Sequence, residues 1–167
     1  VCPPNSIFVS KYSVAGNPVW CRCATGPSLH NAGHAIAVDS SGNVFVTGQF
    51  FGTVDFGGGA LTSAGWTDIF LAKYSASGTH LWSRRFGGPV QSFDQTGNAI
   101  AVDGSGNVVI TGRFMGTVDF GGGPIASISG ADVFVAKYSP AGDHLWSRHI
   151  QSGTGAGGLG RGIAVDA

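Results

Sequence analysis

Two stretches of the chain, 64 residues apart, are nearly identical, and they decide the fold. Residues 33–59 read GHAIAVDSSGNVFVTGQFFGTVDFGGG, and residues 97–123 read GNAIAVDGSGNVVITGRFMGTVDFGGG. A second motif, LAKYSASGTHLWSR at 71–84, returns as VAKYSPAGDHLWSR at 135–148 and already occurs as VSKYSVAGNPVWCR at 9–22. Self-similarity at a fixed period indicates a repeat architecture, in which each unit packs against its neighbours.

The positions of these motifs divide the 167 residues into units of about 64 residues. We expect the second half of one unit at 1–26, full units at 27–90 and 91–154, and the first strand of a further unit at 155–167. All of them belong to one domain, because repeats of this kind bury their apolar faces against one another.

Each full unit contains four strand-like runs, which begin at Ala35, Asn43, Asp68 and His80 in the first copy. The DSSGN and SASG segments between them are short enough for hairpin turns. The runs are apolar on both faces, so we expect sheets that are covered on both sides. Small residues fill the first strand and aromatic residues the later ones, which suits the wedge shape of a β-propeller blade. The prediction is an all-β protein with four antiparallel strands per unit.

The motif D-x-x-G-N-V-x-x-T-G followed by D-x-F-x-A-K-Y-x-x-x-G-x-x-x-W resembles the bacterial SBBP-type β-propeller repeat. The second half, with Gly78 four residues before Trp82, is also similar to the tryptophan-docking repeat of quinoprotein-type propellers. The resemblance implies a propeller, often secreted or surface-associated. Because Trp20, Trp82 and Trp146 recur at the same place in each unit, we expect them to pack between blades, with Trp82 and Trp146 buried. The resemblance implies no specific activity, because propellers host many functions.

Composition excludes some classes of function. Charged residues make up only 11% of the chain and the net charge is zero, which gives no support for nucleic-acid binding. No apolar run approaches 20 residues, so we expect no membrane-spanning helix. The sequence has no initial Met and no signal peptide, and a count of eleven strands predicts a partial propeller or one completed by other chains. An open end of this kind favours self-association.

The three cysteines all lie within the first 23 residues. One disulfide from Cys2 to Cys21 or to Cys23 is possible, and it would leave one thiol over. The C-x-C spacing matches neither the usual redox motif nor the usual zinc motif, and we expect no zinc site.

Two long connections in each unit emerge at the same end of the sheets, and such loops commonly form binding sites. We expect long loops at 51–67 and 115–131. Positions that differ between the repeats are the better ligand-binding candidates, namely Trp66, whose counterpart is Gly130, and the linker residues Gln91, Phe93 and Asp94.

Oxygen ligands for calcium could come from Asp39 with Asn43 and from Asp103 with Asn107. An Asp at the start of a tight turn more often accepts hydrogen bonds from its own backbone. Hydrogen bonding within the turn is therefore the favoured role, and we expect no catalytic residues and no bound cofactor.

The sequence thus predicts a non-enzymatic, extracellular or cell-surface scaffold that presents Gly-rich loops to a protein or a glycan, or builds a surface assembly. The alternative is a cofactor-binding or metal-binding propeller enzyme that resembles the quinoproteins.

Overall fold

The computed structural model describes residues 2–26, 28–89, 95–152 and 157–166, and every regular element in these ranges is a β-strand. The all-β prediction is confirmed. The strands are β1 (Ile7–Tyr12), β2 (Pro18–Ala24), β3 (Ala32–Val38), β4 (Val44–Phe50), β5 (Thr53–Asp55), β6 (Ala60–Thr62), β7 (Asp68–Tyr74), β8 (His80–Phe86), β9 (Thr96–Val102), β10 (Val108–Asp119), β11 (Pro124–Tyr138) and β12 (His144–Ile150).

Ten of these twelve strands form three successive antiparallel sheets, one from each repeat unit, and β5 and β6 form a separate two-stranded sheet. Sheet 1 contains β1 and β2, sheet 2 has the order β3-β4-β7-β8, and sheet 3 has the order β9-β10-β11-β12. The four strands of sheet 2 correspond to the four runs in the first full unit. Residues 157–166 adopt no strand, and one hydrogen bond from Asn98 Nδ2 to Gly160 O (3.0 Å) ties them to β9.

Two hydrophobic clusters hold the sheets together face to face. One cluster joins Ile7 and Val9 of sheet 1 to Phe70 and Tyr74 of sheet 2. The other joins the opposite face of sheet 2 to sheet 3. All seven residues of β7 are buried, because this strand is covered on both faces, as the continuous apolar run predicts.

The segment after β4, predicted to be a loop, instead forms a β-hairpin of β5 and β6, which we call the inserted hairpin. In sheet 3 the same sequence extends β10 and β11 beyond a bulge at Met115/Thr117. The loop prediction was wrong because Val54 and Phe56 are buried and fold the segment back over the sheet. Tyr74 Oη fixes it by donating to Phe56 O at 2.9 Å.

In sheets 1 and 2, a lysine, a tryptophan and an arginine hold the turn of the next sheet, and we call this set the tryptophan clamp. In sheet 1, Lys11 Nζ and Trp20 Nε1 donate to Ala76 O at 3.1 and 3.0 Å. Arg22 Nε donates to Gly78 O at 2.6 Å. Gly78 has φ +81°, and a Cβ there would lie 2.7 Å from the Trp20 ring, so only glycine fits beneath the indole.

The clamp recurs between sheets 2 and 3. Lys73 Nζ and Trp82 Nε1 donate to Pro140 O at 2.9 and 3.1 Å, and Arg84 Nε donates to Gly142 O at 3.2 Å. Trp82 is half-buried by this contact.

Trp146, the third member of the series, was expected to be buried and is 37% exposed. That expectation was wrong because burial of this ring requires the turn of a following sheet, and none covers Trp146 among the described residues.

The hairpin aspartates accept hydrogen bonds from their own turns, as predicted. Asp39 Oδ1 accepts from the backbone N–H groups of Ser41 (3.0 Å) and Asn43 (2.9 Å), and Asp39 Oδ2 accepts from Asn43 Nδ2 at 2.8 Å. Asp103 makes the equivalent bonds to Ser105 and Asn107. These bonds fix the turns from β3 to β4 and from β9 to β10. The calcium hypothesis stays a prediction.

The N-terminal segment is tied to β2 by a disulfide between Cys2 and Cys23, which decides between the two pairings that the sequence allows. Cys21 is a free, exposed thiol, and its Sγ lies 3.7 Å from Cys2 Sγ. In the parts of the chain that are described, no helix is long and apolar enough to cross a membrane.

Candidate functional site: an aromatic cluster at the sheet edge

Three aromatic rings meet at the edge of sheet 2 where β3 begins and β4 ends, and we call them the aromatic cluster. The ring centroid of Trp66 lies 4.8 Å from that of His30 and 5.0 Å from that of Phe51. The His30 and Phe51 centroids are 6.5 Å apart. His30 is exposed and the other two residues are half-buried, so the cluster presents a partly open aromatic surface.

Hydrogen bonds position the backbone that carries the cluster. Asn31 Oδ1 accepts from Phe51 N at 3.0 Å, which ties the residue after His30 to the end of β4. At the base of the inserted hairpin, Ser63 N donates to Gly52 O at 2.9 Å. The inserted hairpin therefore brings Trp66 back beside Phe51, although the two are far apart in sequence.

The aromatic cluster breaks the repeat at every position. The residues that correspond to His30, Phe51 and Trp66 in the second unit are Asp94, Met115 and Gly130. The difference between the two repeats identified Trp66 as a candidate from the sequence. It did not indicate that Trp66 contacts the other two rings. Their proximity depends on the inserted hairpin, which the sequence did not reveal. The linker candidates Gln91, Phe93 and Asp94 lie outside the described residues.

A buried carboxylate, Asp68, stands at the first residue of β7, two residues after Trp66. Asp68 Oδ2 accepts from Ala64 N at 2.8 Å and pairs with Arg85 Nη1. Burial raises the pKa of the Asp68 carboxyl, although these two hydrogen bonds act in the opposite direction. The bond to Ala64 anchors the loop that leads into Trp66, so Asp68 supports the shape of this edge.

The equivalent carboxylate of sheet 3, Asp132, lies close to a histidine and a serine. Burial acts to raise the pKa of Asp132, but hydrogen bonds from Ser152 and Ile128 outweigh it, so this pKa lies below its ordinary value. Asp132 Oδ2 is 3.3 Å from His149 Nε2. The Ser152 hydroxyl, however, donates to Ala131 O at 2.8 Å, so it is engaged by the backbone rather than activated by a base.

The geometry of the aromatic cluster suits binding more than bond-making chemistry. The polar side-chain groups of the three rings are one imidazole and one indole N–H, and the nearby Asn31 and Gln49 side chains hydrogen-bond to the backbone of Phe51 and His30. Leu29, which is 84% exposed, lies next to His30 in the sequence and adds further apolar surface. Partly exposed aromatic rings of this kind are typical anchors for protein or sugar ligands.

No protein-family model matches the chain. Among curated proteins, the chain is similar to an uncharacterized WD repeat-containing protein of Acanthamoeba polyphaga mimivirus, with 24% identity over 179 aligned residues. The match covers 84% of this chain and only 12% of that relative, so the chain corresponds to a small part of the relative's length. The similarity indicates a repeat protein of the β-propeller-like kind, in agreement with the all-β repeat units of the structure.

Proposed function

We propose that this chain is a β-propeller-type scaffold that binds another protein through the aromatic cluster. One observation carries the proposal: the repeated positions are used for packing, whereas the cluster is built from positions that differ between repeats and is left partly open. Similarity to a WD repeat-containing protein supports the scaffold role.

The physics of the cluster favours a protein partner. Trp66 and Phe51 are held by neighbouring rings and by the inserted hairpin, so little side-chain entropy is lost when a partner covers them. Aromatic residues are enriched at the centres of protein interfaces, where a few anchors contribute most of the binding free energy. A loop apolar group such as Leu29 extends the surface that a partner would cover.

The proposal is tested by affinity capture from a native extract, followed by measurement of the purified partner's Kd. Trp66→Ala should weaken binding at least tenfold, as expected for removal of an anchor residue. The matched control is Tyr12→Ala, an aromatic residue that is 61% exposed at the opposite end of the sheets. Unchanged capture by the Trp66 variant, or Trp66-dependent binding of glycans on an array with no protein partner, would contradict the proposal.

The sheets themselves we assign as propeller blades of the SBBP type. Support comes from the face-to-face packing of successive repeats and from the tryptophan clamp that joins each sheet to the next. No cofactor forms part of this proposal. A stoichiometric chromophore or metal in the purified protein would favour the quinoprotein-like enzyme instead.

We also place the protein outside the cytosol, at the cell surface or secreted. The disulfide between Cys2 and Cys23 supports this proposal, because such bonds persist in oxidising compartments. Fractionation of the source cells, with detection by antibody, tests it, and recovery in the cytosolic fraction alone would refute it.

A further inference from the structure

Three cysteine sulfur atoms lie close together at sheet 1, and we call these residues the cysteine cluster. Cys2 and Cys23 form the disulfide, and the Sγ atom of the free Cys21 lies 3.7 Å from Cys2 Sγ. All three sulfur atoms lie within 4.8 Å of one another. A free thiol therefore stands in contact with a disulfide sulfur, which is the arrangement that thiol–disulfide exchange requires.

The strand β2 presents two cysteines side by side to the Cys2 sulfur. Cys21 and Cys23 both belong to β2 and are two residues apart. Alternate residues of a strand project from the same face, at a spacing of about 7 Å. Cys2 is bonded to one of these cysteines and in contact with the other, so rotation of its side chain carries its sulfur from one bonding position toward the other.

A hydroxyl of the neighbouring strand positions the free sulfur. Ser10 of β1 pairs with Cys21 in the β1–β2 register, and residues paired in this way share a face of the sheet. Ser10 Oγ donates to Cys21 Sγ at 3.3 Å. This bond holds the Cys21 thiol beside the disulfide.

The other two sheets show that the tie at this place needs only two residues. Cys23 stands at the position of Arg85 and His149, and each of these side chains contacts a buried aspartate at the start of the preceding strand or strand segment. Cys21 stands where both full units have serine. The disulfide thus takes the place of a polar tie, and the third cysteine is an addition that the tie itself does not require.

We propose that the cysteine cluster is a thiol–disulfide exchange site, in which the disulfide of Cys2 migrates between Cys23 and Cys21. The Cys21 thiol gives its proton to solvent, and the thiolate attacks Cys2 Sγ. The bond between Cys21 and Cys2 forms as the bond between Cys2 and Cys23 breaks. The electron pair of the broken bond leaves on Cys23 Sγ, which takes up a proton from solvent.

The chain carries one disulfide and one thiol before and after this step, so migration needs no oxidant and no reductant. The N-terminal segment stays covalently tied in both forms. Its point of attachment moves by two residues along β2, a distance of about 7 Å. The proposal is independent of the aromatic cluster, since it uses none of the same residues.

Peptide mapping of the wild-type chain tests the proposal. Trypsin cleaves after Arg22, so Cys21 and Cys23 fall on different peptides. The native protein is incubated without reductant at about pH 8, where ordinary thiols are partly ionised. It is then unfolded in acid, and its free thiol is labelled there with a maleimide. We expect label at Cys21 and at Cys23, together with two linked peptide pairs, Cys2 with Cys23 and Cys2 with Cys21.

Migration is then separated from a fixed mixture of two forms. Each form is isolated in acid, where the thiol is protonated and exchange is slow, and returned to native buffer at about pH 8. Each should regenerate the same mixture. In a blend of isotope-labelled and unlabelled chains, every linked pair should come from a single chain, because the attack occurs within one molecule.

Cys21→Ser is the matched control, because serine already stands at this position in both full units. This variant should keep the bond between Cys2 and Cys23, show no free thiol and form no second linked pair. Three results would overturn the proposal: label at Cys21 alone after every incubation time, separated forms that do not interconvert, or linked pairs that combine two chains. Loss of partner capture through Trp66 would leave it untouched.

Discussion

Replacing Trp82 by alanine should destabilise the protein by about 3 kcal/mol, whereas the same change at Trp146 should cost less than about 1 kcal/mol. A tryptophan side chain offers about 200 Å² for burial. Because Trp82 is half-buried, the substitution loses about half of this buried area. At about 25 cal/mol per Å², that loss costs about 2.5 kcal/mol. The hydrogen bond from Trp82 Nε1 to Pro140 O adds about 0.5–1 kcal/mol, at the low end because Lys73 still donates to that carbonyl.

Trp146 is the natural control, since it has the same sequence neighbours and the same place in its sheet. It is 37% exposed, and among the described residues its indole N–H donates to no acceptor. Urea or thermal unfolding at low protein concentration, where self-association is minimal, measures both variants. At about 2–4 °C per kcal/mol for a chain of this size, Trp82→Ala should lower Tm by about 6–12 °C. Equal shifts for both variants would refute the idea that the clamp transmits stability between sheets.

Three further predictions concern single contacts. Asp39→Ala should destabilise by about 1 kcal/mol at pH 7, as for a lost side-chain cap. Burial acts to raise the pKa of Asp39, but hydrogen bonds within its turn outweigh it and lower this pKa. The Asp39 carboxylate therefore stabilises the fold fully above about pH 4, and this contribution is lost as the pH falls through the pKa of Asp39 in the folded protein. The stabilities of variant and wild type should therefore converge in acid. Tyr74→Phe should cost about 1–3 kcal/mol in urea unfolding, because it leaves a buried carbonyl of the inserted hairpin without its donor; an unchanged midpoint would contradict this. In Cys23→Ser, mass mapping should find Cys2 bonded to Cys21, whose sulfur already lies 3.7 Å away, and recovery of two free thiols after air oxidation would argue against it.

Local signals in the sequence were sufficient for the parts of the fold that local chemistry determines. The Asp39 turn was predictable because an aspartate, a glycine and an asparagine at fixed spacing produce the observed hydrogen bonds within five residues. The inserted hairpin was not predictable in this way. Its Gly-rich sequence is typical of a loop, and its strand pairing depends on burial of Val54 and Phe56 and on the distant hydroxyl of Tyr74.

The same distinction applies to the candidate site. Trp66 stands out in the sequence because its counterpart in the second repeat is glycine. Its contacts with His30 and Phe51 are tertiary, and they follow from a hairpin whose existence the sequence concealed. The exposure of Trp146 could not be predicted from the sequence motif around it either. Burial of this ring depends on contact with a neighbouring sheet and not on the residues of the motif.

The tryptophan clamp recognises main-chain oxygen atoms, and this has a consequence for how such chains evolve. Valine, alanine and proline stand at the three corresponding turn positions, yet the clamp donates to the carbonyl in both occupied cases. The side chain at that position takes no part in these hydrogen bonds, so it can change without loss of the clamp, provided that the glycine two residues later remains. A unit copied, deleted or moved by recombination would meet a compatible neighbour at once, with no compensating change on either side. Chains of this type can thus lengthen or shorten by whole units while their junctions stay intact, and the near-identity of the two full repeats is the expected trace of a duplication of this kind.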